Sequence, residues 1–520
     1  MSGDAIKLDS QSFNLFQKEL HRRRGEYRPV RDEKMGVFKD TLFMLEGVNT
    51  IFQHRFKKIS WYTPIKEQLN VVDNGSECIY TANNSYDQLM KTFKDLMLPA
   101  LRIKSKYADK YRMCWTHNIG INIDRESKLM ANDIPINTFD SVGHDILSQF
   151  GYLVKPGFKK HHLISIGSVP KLEQWTTFLP AHQLNVLQPF YYTKANHLAL
   201  PLLASTITQF RHIYKPRRKI LDLIRMQKFN DKKNAWIDIK PNYAVIDGIK
   251  DKDALLKTPE LWGRYAKITD EERHWYKECS EGMVHEYFYD DLVVCDDQNK
   301  KVYGDVVEIP LKAPTPVKAI FWVNENLAAT RYNNYSNYTS NAENVYQGWN
   351  PCKNFNIRYA TSMRVEDMSI DHAEREEAWE FPRAPWEPGY NVVTFCNNPF
   401  SIDGEASVDL QGNNAQLAVK LGNTDPSLIS PENYEPKPDG DPNQDSEDEE
   451  DEHVTEPDTK TKNGKITGPE FIVRARLLVY RKLSYHFDNS KGGYIFKVDH
   501  LDLSNIWYDD ENQKSLNSKK

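Results

Sequence analysis

Residues 187–205 read LQPFYYTKANHLALPLLAS and continue into TITQFRHIYKPRRK over residues 206–219. An aromatic run is followed by a polar turn and then by an apolar stretch centred on Pro201. From residue 206 onward alternate side chains share a face, one face carrying Ile207, Gln209, Arg211 and Ile213 and the other Thr206, Thr208, Phe210 and His212. A period of two predicts a β-strand, and a proline can start such a strand but cannot lie centrally in its ladder, because it has no N–H to donate. The residues alone therefore predict a strand, a turn, and a second strand that runs into a basic loop.

Two blocks of this segment resemble a signature of the double jelly-roll major capsid proteins of nucleocytoplasmic large DNA viruses. In that family an aromatic block similar to Pro-Phe-Trp-Phe is followed by a loop and then by Ala-Leu-Pro-Leu-Ile-Ala-Leu-Gln. Pro189–Tyr192 and Ala199–Ser205 correspond to these blocks nearly position by position. The resemblance is meaningful only if the flanking segments agree with the family in order and spacing.

Blocks on the N-terminal side resemble the family in the same order. The segment around Thr50 and Phe52 is similar to its opening strand, although the usual Arg-Arg-His-Thr-Asn is absent. LMKTFKDLMLPALRI (residues 89–103) has the family's strand that runs into Leu-Pro. Residues 118–123, NIGINI, correspond to an isoleucine-glycine-glycine block before a turn, with isoleucines alternating after the glycine.

A predicted connector divides the chain near residue 270. LWGRYAKI (residues 261–268) is typical of a strand. Thr269 followed three residues later by Glu272 is a capping box and predicts the start of a helix. That helix resembles the family's link between its two barrels, in which Asp270–Arg273 and His285–Tyr287 occupy the places of Asp-Glu-Arg-Arg and His-Glu-Tyr.

The C-terminal half repeats this pattern. Residues 307–326 and 389–421 resemble two of the family's strand-forming tracts, and residues 330–350, rich in Asn, Tyr and Ser, predict a long surface loop between them. FIVRARLLVYRKLSYHF (residues 471–487) resembles the closing strand, with Gly492-Gly493-Tyr494 after it. Its alternation predicts inward-facing apolar residues and outward-facing arginines, namely Val473, Ala475, Leu477 and Val479 inward and Arg474 and Arg476 outward.

Length and composition allow such an architecture. A chain of 520 residues exceeds the about 250–300 residues at which a single core stops growing, and an aromatic content of 12% favours β structure. The net charge is −5, but the charge is unevenly distributed along the chain. Residues 439–458 carry eleven acidic residues and no Lys or Arg, so the remainder is mildly basic. No window approaches the roughly 18 apolar residues of a membrane span.

Sequence motifs for catalysis, metal binding or nucleic-acid binding are weak or absent. His161 and His162 are adjacent and would point to opposite sides of a strand, and the polar stretch Asp371–Arg375 predicts a charged loop or helix. The basic clusters between residues 215 and 253 lack an aromatic stacking platform and predict a solvated loop. The cysteines lie far apart and predict reduced thiols, namely Cys78, Cys114, Cys279, Cys295, Cys352 and Cys396. Four glycosylation sequons, at Asn74, Asn83, Asn334 and Asn337, are attributed to chance.

We therefore predict an all-β chain of two consecutive eight-stranded antiparallel jelly rolls with short connecting helices. The expected divisions are a helical or extended N-terminal arm over residues 1–46, a first jelly roll over 47–270, a second over 271–510 and a tail over 511–520. Residues 422–468, rich in Pro, Asp, Glu, Asn and Lys, predict a disordered acidic insertion in the second jelly roll, because they cannot bury enough apolar surface to fold.

The resemblance implies a viral major capsid protein and no enzyme. Such a chain would form a homotrimer that imitates a hexagon, contact neighbouring capsomers, and meet minor capsid or penton proteins and an internal membrane. It would lie in the capsid shell of the virion after assembly in the host cell cytoplasm. The resemblance implies no catalytic, cofactor-binding or metal-binding residues, no cofactor, and no specific nucleic-acid binding.

Two other functions stay open. A trimeric double jelly-roll scaffold, discarded from the mature particle, would have the same fold. A jelly-roll protein that binds carbohydrate, or that uses a metal in catalysis, belongs to a different class, because its ligands would converge on one site.

Overall fold

The computed structural model describes residues 30–32, 37–39, 62–153, 170–204, 208–232, 234–274, 276, 285–297, 299–359, 362–401, 406–410, 414–422, 460–462, 465–467, 469–488 and 493–499. By contacts the chain divides into residues 1–61 and residues 62–520. In the first unit the structure describes one antiparallel pair, β1 (Val30–Asp32) and β2 (Val37–Lys39). The predicted terminal helix, the opening strand before residue 62, His161 and His162, most of the acidic insertion and the C-terminal tail lie outside the described residues.

Strands dominate the first half of the larger unit. They are β3 (Tyr62–Gln68), β4 (Asn70–Asp73), β5 (Cys78–Thr81), β6 (Gln88–Leu98), β7 (Leu101–Ile103), β8 (Tyr111–Trp115), β9 (Asp124–Ala131), β10 (Ile134–Asp140), β11 (Phe178–Leu179), β12 (His182–Leu187), β13 (Leu200–Pro201), β14 (Phe210–Pro216), β15 (Ile224–Asn230), β16 (Ala235–Ile239), β17 (Ile246–Asp247) and β18 (Glu260–Ile268).

The second half is built in the same way. Its strands are β19 (His285–Asp296), β20 (Val306–Pro310), β21 (Val317–Asn326), β22 (Cys352–Tyr359), β23 (Ser362–Ser369), β24 (Tyr390–Thr394), β25 (Gln416–Leu421), β26 (Lys460–Lys462), β27 (Lys465–Thr467), β28 (Phe471–Asp488) and β29 (Gly493–Asp499). Strands β26 and β27 form a separate two-stranded sheet within the predicted insertion.

The helices that the structure describes are short. The α-helices are α1 (Ile119–Asn122), α2 (Ser141–Gln149), α3 (Pro170–Glu173), α4 (Tyr191–Lys194), α5 (Asp270–His274) and α6 (Leu327–Arg331). Single turns of 3-10 or π-helix cover Ser105–Tyr107, Asn196–Leu198, Leu202–Ala204, Ile220–Leu223, Val345–Gln347, His372–Glu376 and Glu377–Glu380. Among the described residues no helix is long and apolar enough to cross a membrane.

Both halves arrange their strands in one order. In the first half, one sheet runs β3-β18-β6-β12 and the facing sheet runs β10-β9-β14-β5, extended by β4. In the second half, one sheet runs β19-β28-β21-β24 and the other β20-β25-β22-β23. The first half also has two three-stranded sheets, β11-β7-β17 and β16-β15-β8. When only the eight strands of the two larger sheets of each half are numbered in chain order, with β4 left out, their orders are 1-8-3-6 and 2-7-4-5, the interleaved antiparallel order of a jelly roll. The fold is therefore a double jelly roll, as predicted, and no described sheet contains strands of both halves.

Alternating burial explains why these segments form strands. In β6 the residues from Met90 to Leu98 alternate between buried and more exposed positions, and β25 alternates in the same way. One face of each strand therefore covers the interior of its own barrel while the other faces outward. Strand β14 confirms the predicted alternation, with Phe210, His212 and Tyr214 on its buried face.

Two parts of the opening stretch differ from the prediction. The aromatic run enters a helix rather than a strand, because Tyr191–Lys194 form α4. The three rings from Phe190 to Tyr192 are fully buried. The strand with Pro201 is only two residues long and pairs with one end of β6. Proline therefore starts a short strand, as expected for a residue that cannot donate to a ladder.

Residues 118–123, which resemble the family's isoleucine-glycine-glycine block, precede strand β9. Ile119–Asn122 form helix α1, in which every residue is buried, and the strand starts only at Asp124. Ile119 and Ile121 are buried in this short helix, and Ile123, which follows it, is buried as well. A short apolar run does not distinguish a buried helical turn from a strand by periodicity alone.

The connector matches the prediction at its start only. The Glu272 amide donates to Thr269 Oγ1 at 3.3 Å, which is one of the two hydrogen bonds of a capping box and confirms the predicted helix start. Helix α5 covers Asp270–His274, however, and His285–Tyr287 belong to strand β19 rather than to a helix. The proposed division at residue 270 itself stays a prediction.

Candidate functional site

The two halves share an apolar core at their junction. Phe150 and Tyr152, which follow helix α2 of the first half, contact aromatic rings of the second half. The ring centroid of Phe150 lies 5.0 Å from that of Phe321 and 4.8 Å from that of Phe381. Tyr152 contacts Phe400 edge to face at 5.1 Å. Because aromatic side chains bury large apolar areas, this cluster resists separation of the halves.

Strand β21 explains why the second half needs this partner. Nine of its ten residues are buried, so that neither face is left to solvent. Ile320 and Trp322 pack inside the second jelly roll, whereas Phe321 and Val323 belong to the core shared with the first half. A strand that is apolar on both faces must be covered on both sides.

A buried ion-pair cluster crosses the same junction. The side chain of Arg476, on β28, is 1% exposed and pairs with Asp140 of the first half and Asp296 of the second. Asp140 also begins helix α2, because its Oδ1 accepts from the amide of Gly143 at 2.9 Å. Burial alone would raise the pKa of Asp140, but Arg476 outweighs burial and lowers that pKa below its usual value. Arg476 therefore faces out of its own barrel, as predicted, but it is buried against the first half.

A second buried cluster joins two lysines to one aspartate. Asp290, on β19, accepts from Lys194 of the first half at 2.5 Å and from Lys318 of the second half at 2.8 Å. Burial disfavours the ionised carboxylate, but the two ammonium groups outweigh burial and lower the pKa of Asp290. Both halves thus contribute a cation to one carboxylate.

Asp145, on helix α2, collects donors from both halves. Its Oδ2 accepts from Tyr390 at 2.9 Å and from Tyr338 at 3.2 Å, and its Oδ1 accepts from the Asn118 amide at 3.1 Å. The side chain is fully buried, and burial raises the pKa of Asp145 to about 6. The pKa of Asp145 is thus raised, whereas the pKa of Asp140 and that of Asp290 are lowered.

His117 links carboxylates of the two halves. Its Nδ1 lies 2.9 Å from Glu173 of the first half and its Nε2 lies 2.9 Å from Glu387 of the second. Burial would lower the pKa of His117, but the two carboxylates outweigh burial and raise it well above its usual value. Protonated His117 therefore acts as a cation between the halves.

The Asn-rich segment over residues 330–350 was predicted to be a surface loop, and this is wrong for its centre. Asn334, Asn337 and Thr339 are buried, and the Asn333 amide donates to the carbonyls of Leu221 and Ile224 in the first half at 2.7 and 2.9 Å. The segment therefore contacts the first half through hydrogen bonds. Asn and Ser serve exposed turns and buried hydrogen-bonded loops equally well, so composition could not separate the two.

The basic clusters after residue 215 are likewise not a solvated loop. Strands β15, β16 and β17 form there, and Arg217 donates to the carbonyls of Asn122 and Asp124 at 2.7 and 3.1 Å. Arg218 pairs with Asp73. Their cationic groups thus bind carbonyls and a carboxylate of the same chain.

The remaining candidate residues do not converge on a catalytic centre. Asp371–Arg375 lie on a charged helical turn, where His372 contacts Glu376 and Glu377. Within the described ranges no group of three or more His, Cys, Asp or Glu side chains could hold a metal ion. Five cysteines are described, each of them a free thiol, namely Cys78, Cys114, Cys295, Cys352 and Cys396.

Comparison with known proteins gives a consistent result. Residues 50–262 match the family described as the major capsid protein N-terminus. The chain is 20% identical to the major capsid protein of Simulium iridescent virus, over 69% of this chain and 78% of that protein. It is 22% identical to the major capsid protein of Invertebrate iridescent virus 6, over 66% of this chain and 77% of that protein.

Solved structures show the same fold at lower identity. The Faustovirus major capsid protein superposes with a TM-score of 0.60 at 8% identity, covering 93% of this chain and 99% of that chain. A subunit of the PBCV-1 virus capsid superposes with a TM-score of 0.58 at 11% identity, covering 86% and 99%. Sequence and fold comparisons therefore lead to one group of proteins.

Proposed function

We propose, for this divergent member of the double jelly-roll major capsid proteins of large DNA viruses, that three copies assemble into a pseudo-hexameric capsomer. Such capsomers would tile an icosahedral shell around the DNA genome. The chain is a capsid protein by its relatives and its fold, and these relatives are structural proteins rather than enzymes.

The observation that carries the proposal is the repeated strand order. Both halves have sheets ordered 1-8-3-6 and 2-7-4-5, so that each subunit presents two similar barrels. Three such subunits around a threefold axis present six similar barrels, and six similar bodies fill a hexagonal tile. Closed symmetric assembly requires matching side surfaces, which two barrels of one architecture can provide.

The contacts between the two halves support this proposal. A tile keeps its outline only if the two barrels of each subunit hold a fixed angle. Arg476, Asp290 and His117 each join charged groups of both halves in buried sites, where removal of one partner is costly. The shared aromatic core adds apolar area to the same contact.

The environment of the capsomer follows from the family. We propose a first jelly roll over residues 47–270 and a second over 271–510, with the insertion at 422–468 on the outer surface. The arm over residues 1–46 would face minor capsid or penton proteins and an internal membrane. The assembled protein would lie in the capsid shell of the virion after assembly in the host cell cytoplasm.

Light scattering after size exclusion tests trimer formation. We expect the purified chain to elute with three times its monomer mass of 60.6 kDa. The Phe321→Ala variant, which removes a ring from the shared core, should weaken the junction and broaden the distribution of masses. A stable monomer at high concentration would contradict the proposal.

A further inference from the structure

A cavity of about 490 Å³ lies where the first half meets residues 343–347 of the second. Its lining includes Arg112 on β8, Arg225 and Gln227 on β15, and Trp175. The volume falls within the about 300–1,000 Å³ of small-molecule sites. The cavity is thus large enough for a small organic ligand.

The sheet beneath the cavity has two different faces. Gln227 lies directly opposite Arg112 across the strand pair, and Met226 lies opposite Met113. Because side chains alternate along a strand, the methionines enter the apolar core whereas Arg112, Arg225 and Gln227 lie on the other face. The base of the cavity is therefore polar and suits a polar ligand.

Arg112 is held in place without a carboxylate partner. Its Nε donates to Gln227 Oε1 at 2.7 Å, and its guanidinium lies 4.3 Å from the ring centroid of Trp236 and 5.3 Å from that of Trp175. Arg225, in contrast, donates to the carbonyl of Glu343 at 2.7 Å and reaches Asp238 at 3.5 Å. Within the described ranges Arg112 forms no ion pair, so that its terminal nitrogens suit an anion from outside the chain.

Two acidic side chains, Glu173 and Glu343, also line the cavity. Glu173 contacts protonated His117 at 2.9 Å and shares this cation with Glu387. Glu343 is exposed on the second-half side of the cavity, where its carboxylate can accept from a hydroxyl group. The cation at the base and the acceptor near the opening therefore suit different groups of one ligand.

The remaining lining residues provide amides and an aromatic ring. Gln174, Asn344 and Gln347 offer both donors and acceptors, as hydroxyl groups require. Tyr346 is 69% exposed, and its hydroxyl reaches Glu387 at 3.4 Å. An exposed ring beside amide side chains suits the C–H face and the hydroxyl groups of a sugar.

We propose that this cavity binds a carbohydrate that carries a carboxylate. Arg112 binds the carboxylate, Tyr346 packs against the sugar ring, and the amides bind the hydroxyl groups. This binding function is additional to capsid assembly and does not depend on trimer formation.

Titration of the full chain with small probes tests the proposal. We expect glucuronic acid and N-acetylneuraminic acid to bind with millimolar dissociation constants by calorimetry, the weak end of the affinity range for small ligands. Glucose, which lacks the carboxylate, and acetate, which lacks the hydroxyl groups, should each bind at least about tenfold more weakly. Absence of binding by both acids would overturn the proposal. Acetate binding as tightly as the acids would also overturn it, because the cavity would then bind an anion without recognising a sugar.

Two substitutions of Arg112 test whether this side chain binds the carboxylate. Arg112→Gln should reduce affinity for the sugar acids at least about tenfold and leave glucose binding unchanged, because only the charge-assisted contact is lost. Arg112→Lys keeps the charge but not the paired nitrogens, and we expect an intermediate loss from a side chain that still folds. Arg375→Gln, on a surface that does not line the cavity, is the matched control and should change nothing. Unchanged sugar-acid affinity in both Arg112 variants would refute the assignment.

Discussion

Replacement of Arg476 by leucine tests the junction most sharply. The side chain is 1% exposed and pairs with Asp140 and Asp296. Leucine would leave Asp140 without its cation, whereas Asp296 keeps Arg474 at 3.2 Å. Removing one partner of a buried pair costs about 3–5 kcal/mol. Asp140 keeps 30% of its side-chain exposure, so we expect the lower end, about 3 kcal/mol.

Urea titration at fixed protein concentration measures this loss, since association would otherwise shift the apparent stability. Arg375→Leu is the matched control, because that side chain is 72% exposed, pairs with Asp371 at 3.6 Å, and should cost less than about 0.5 kcal/mol. A loss below about 1 kcal/mol for Arg476→Leu, or equal losses for the two variants, would refute the reasoning.

The same variant has a predicted pH dependence. The lowered pKa of Asp140 means that its ionised form stabilises the folded wild type above the unfolded value of about 3.9. That contribution disappears as pH falls through the folded pKa. The difference between wild type and Arg476→Leu should therefore shrink as pH falls below about 4. A difference that stays constant or grows over this range would show that the ion pair is not its source.

Further expected outcomes concern the apolar core, the buried acid and the sequons. Phe321→Ala should lower the free energy of unfolding by about 3–5 kcal/mol in urea, because it leaves a cavity in the shared core; a change below about 1 kcal/mol would contradict this packing. The pKa of Asp145, raised to about 6, favours the protonated folded form, so stability from this group is full below the unfolded value and is lost as pH rises through about 6. Asp145→Asn should remove that slope between pH 4 and 7, and an unchanged slope would assign it elsewhere. On expression through a secretory pathway, mass spectrometry should find glycan at exposed Asn74 but none at buried Asn334 or Asn337; glycan at either buried site would contradict the packing of residues 330–350.

Local signals predicted much of the strand framework. The alternation in β28 and β14 and the Leu-Pro end of β6 placed strands correctly, because burial of one face imposes a period of two. The capping box of Thr269 and Glu272 placed a helix start, because both groups lie within four residues. Where the interacting residues are close in sequence, local patterns were sufficient to predict the element.

The junction could not be predicted in this way. Arg476 occupies a polar position of an alternating strand, and Asp140 and Asp296, both far away in sequence, make its burial possible. By residue type Asn333 predicts a turn, but its side-chain amide donates to the carbonyls of Leu221 and Ile224. His117 likewise obtains one of its carboxylates from the other half. These residues are polar by composition and buried by tertiary contacts, which no local pattern contains.

Electron cryomicroscopy of the purified full chain tests the central claim most directly. We expect particles with threefold symmetry and a hexagonal outline, each made of three subunits whose two barrels sit at one fixed angle. A monomer with independently moving halves, or a closed ring of any other symmetry, would contradict the account.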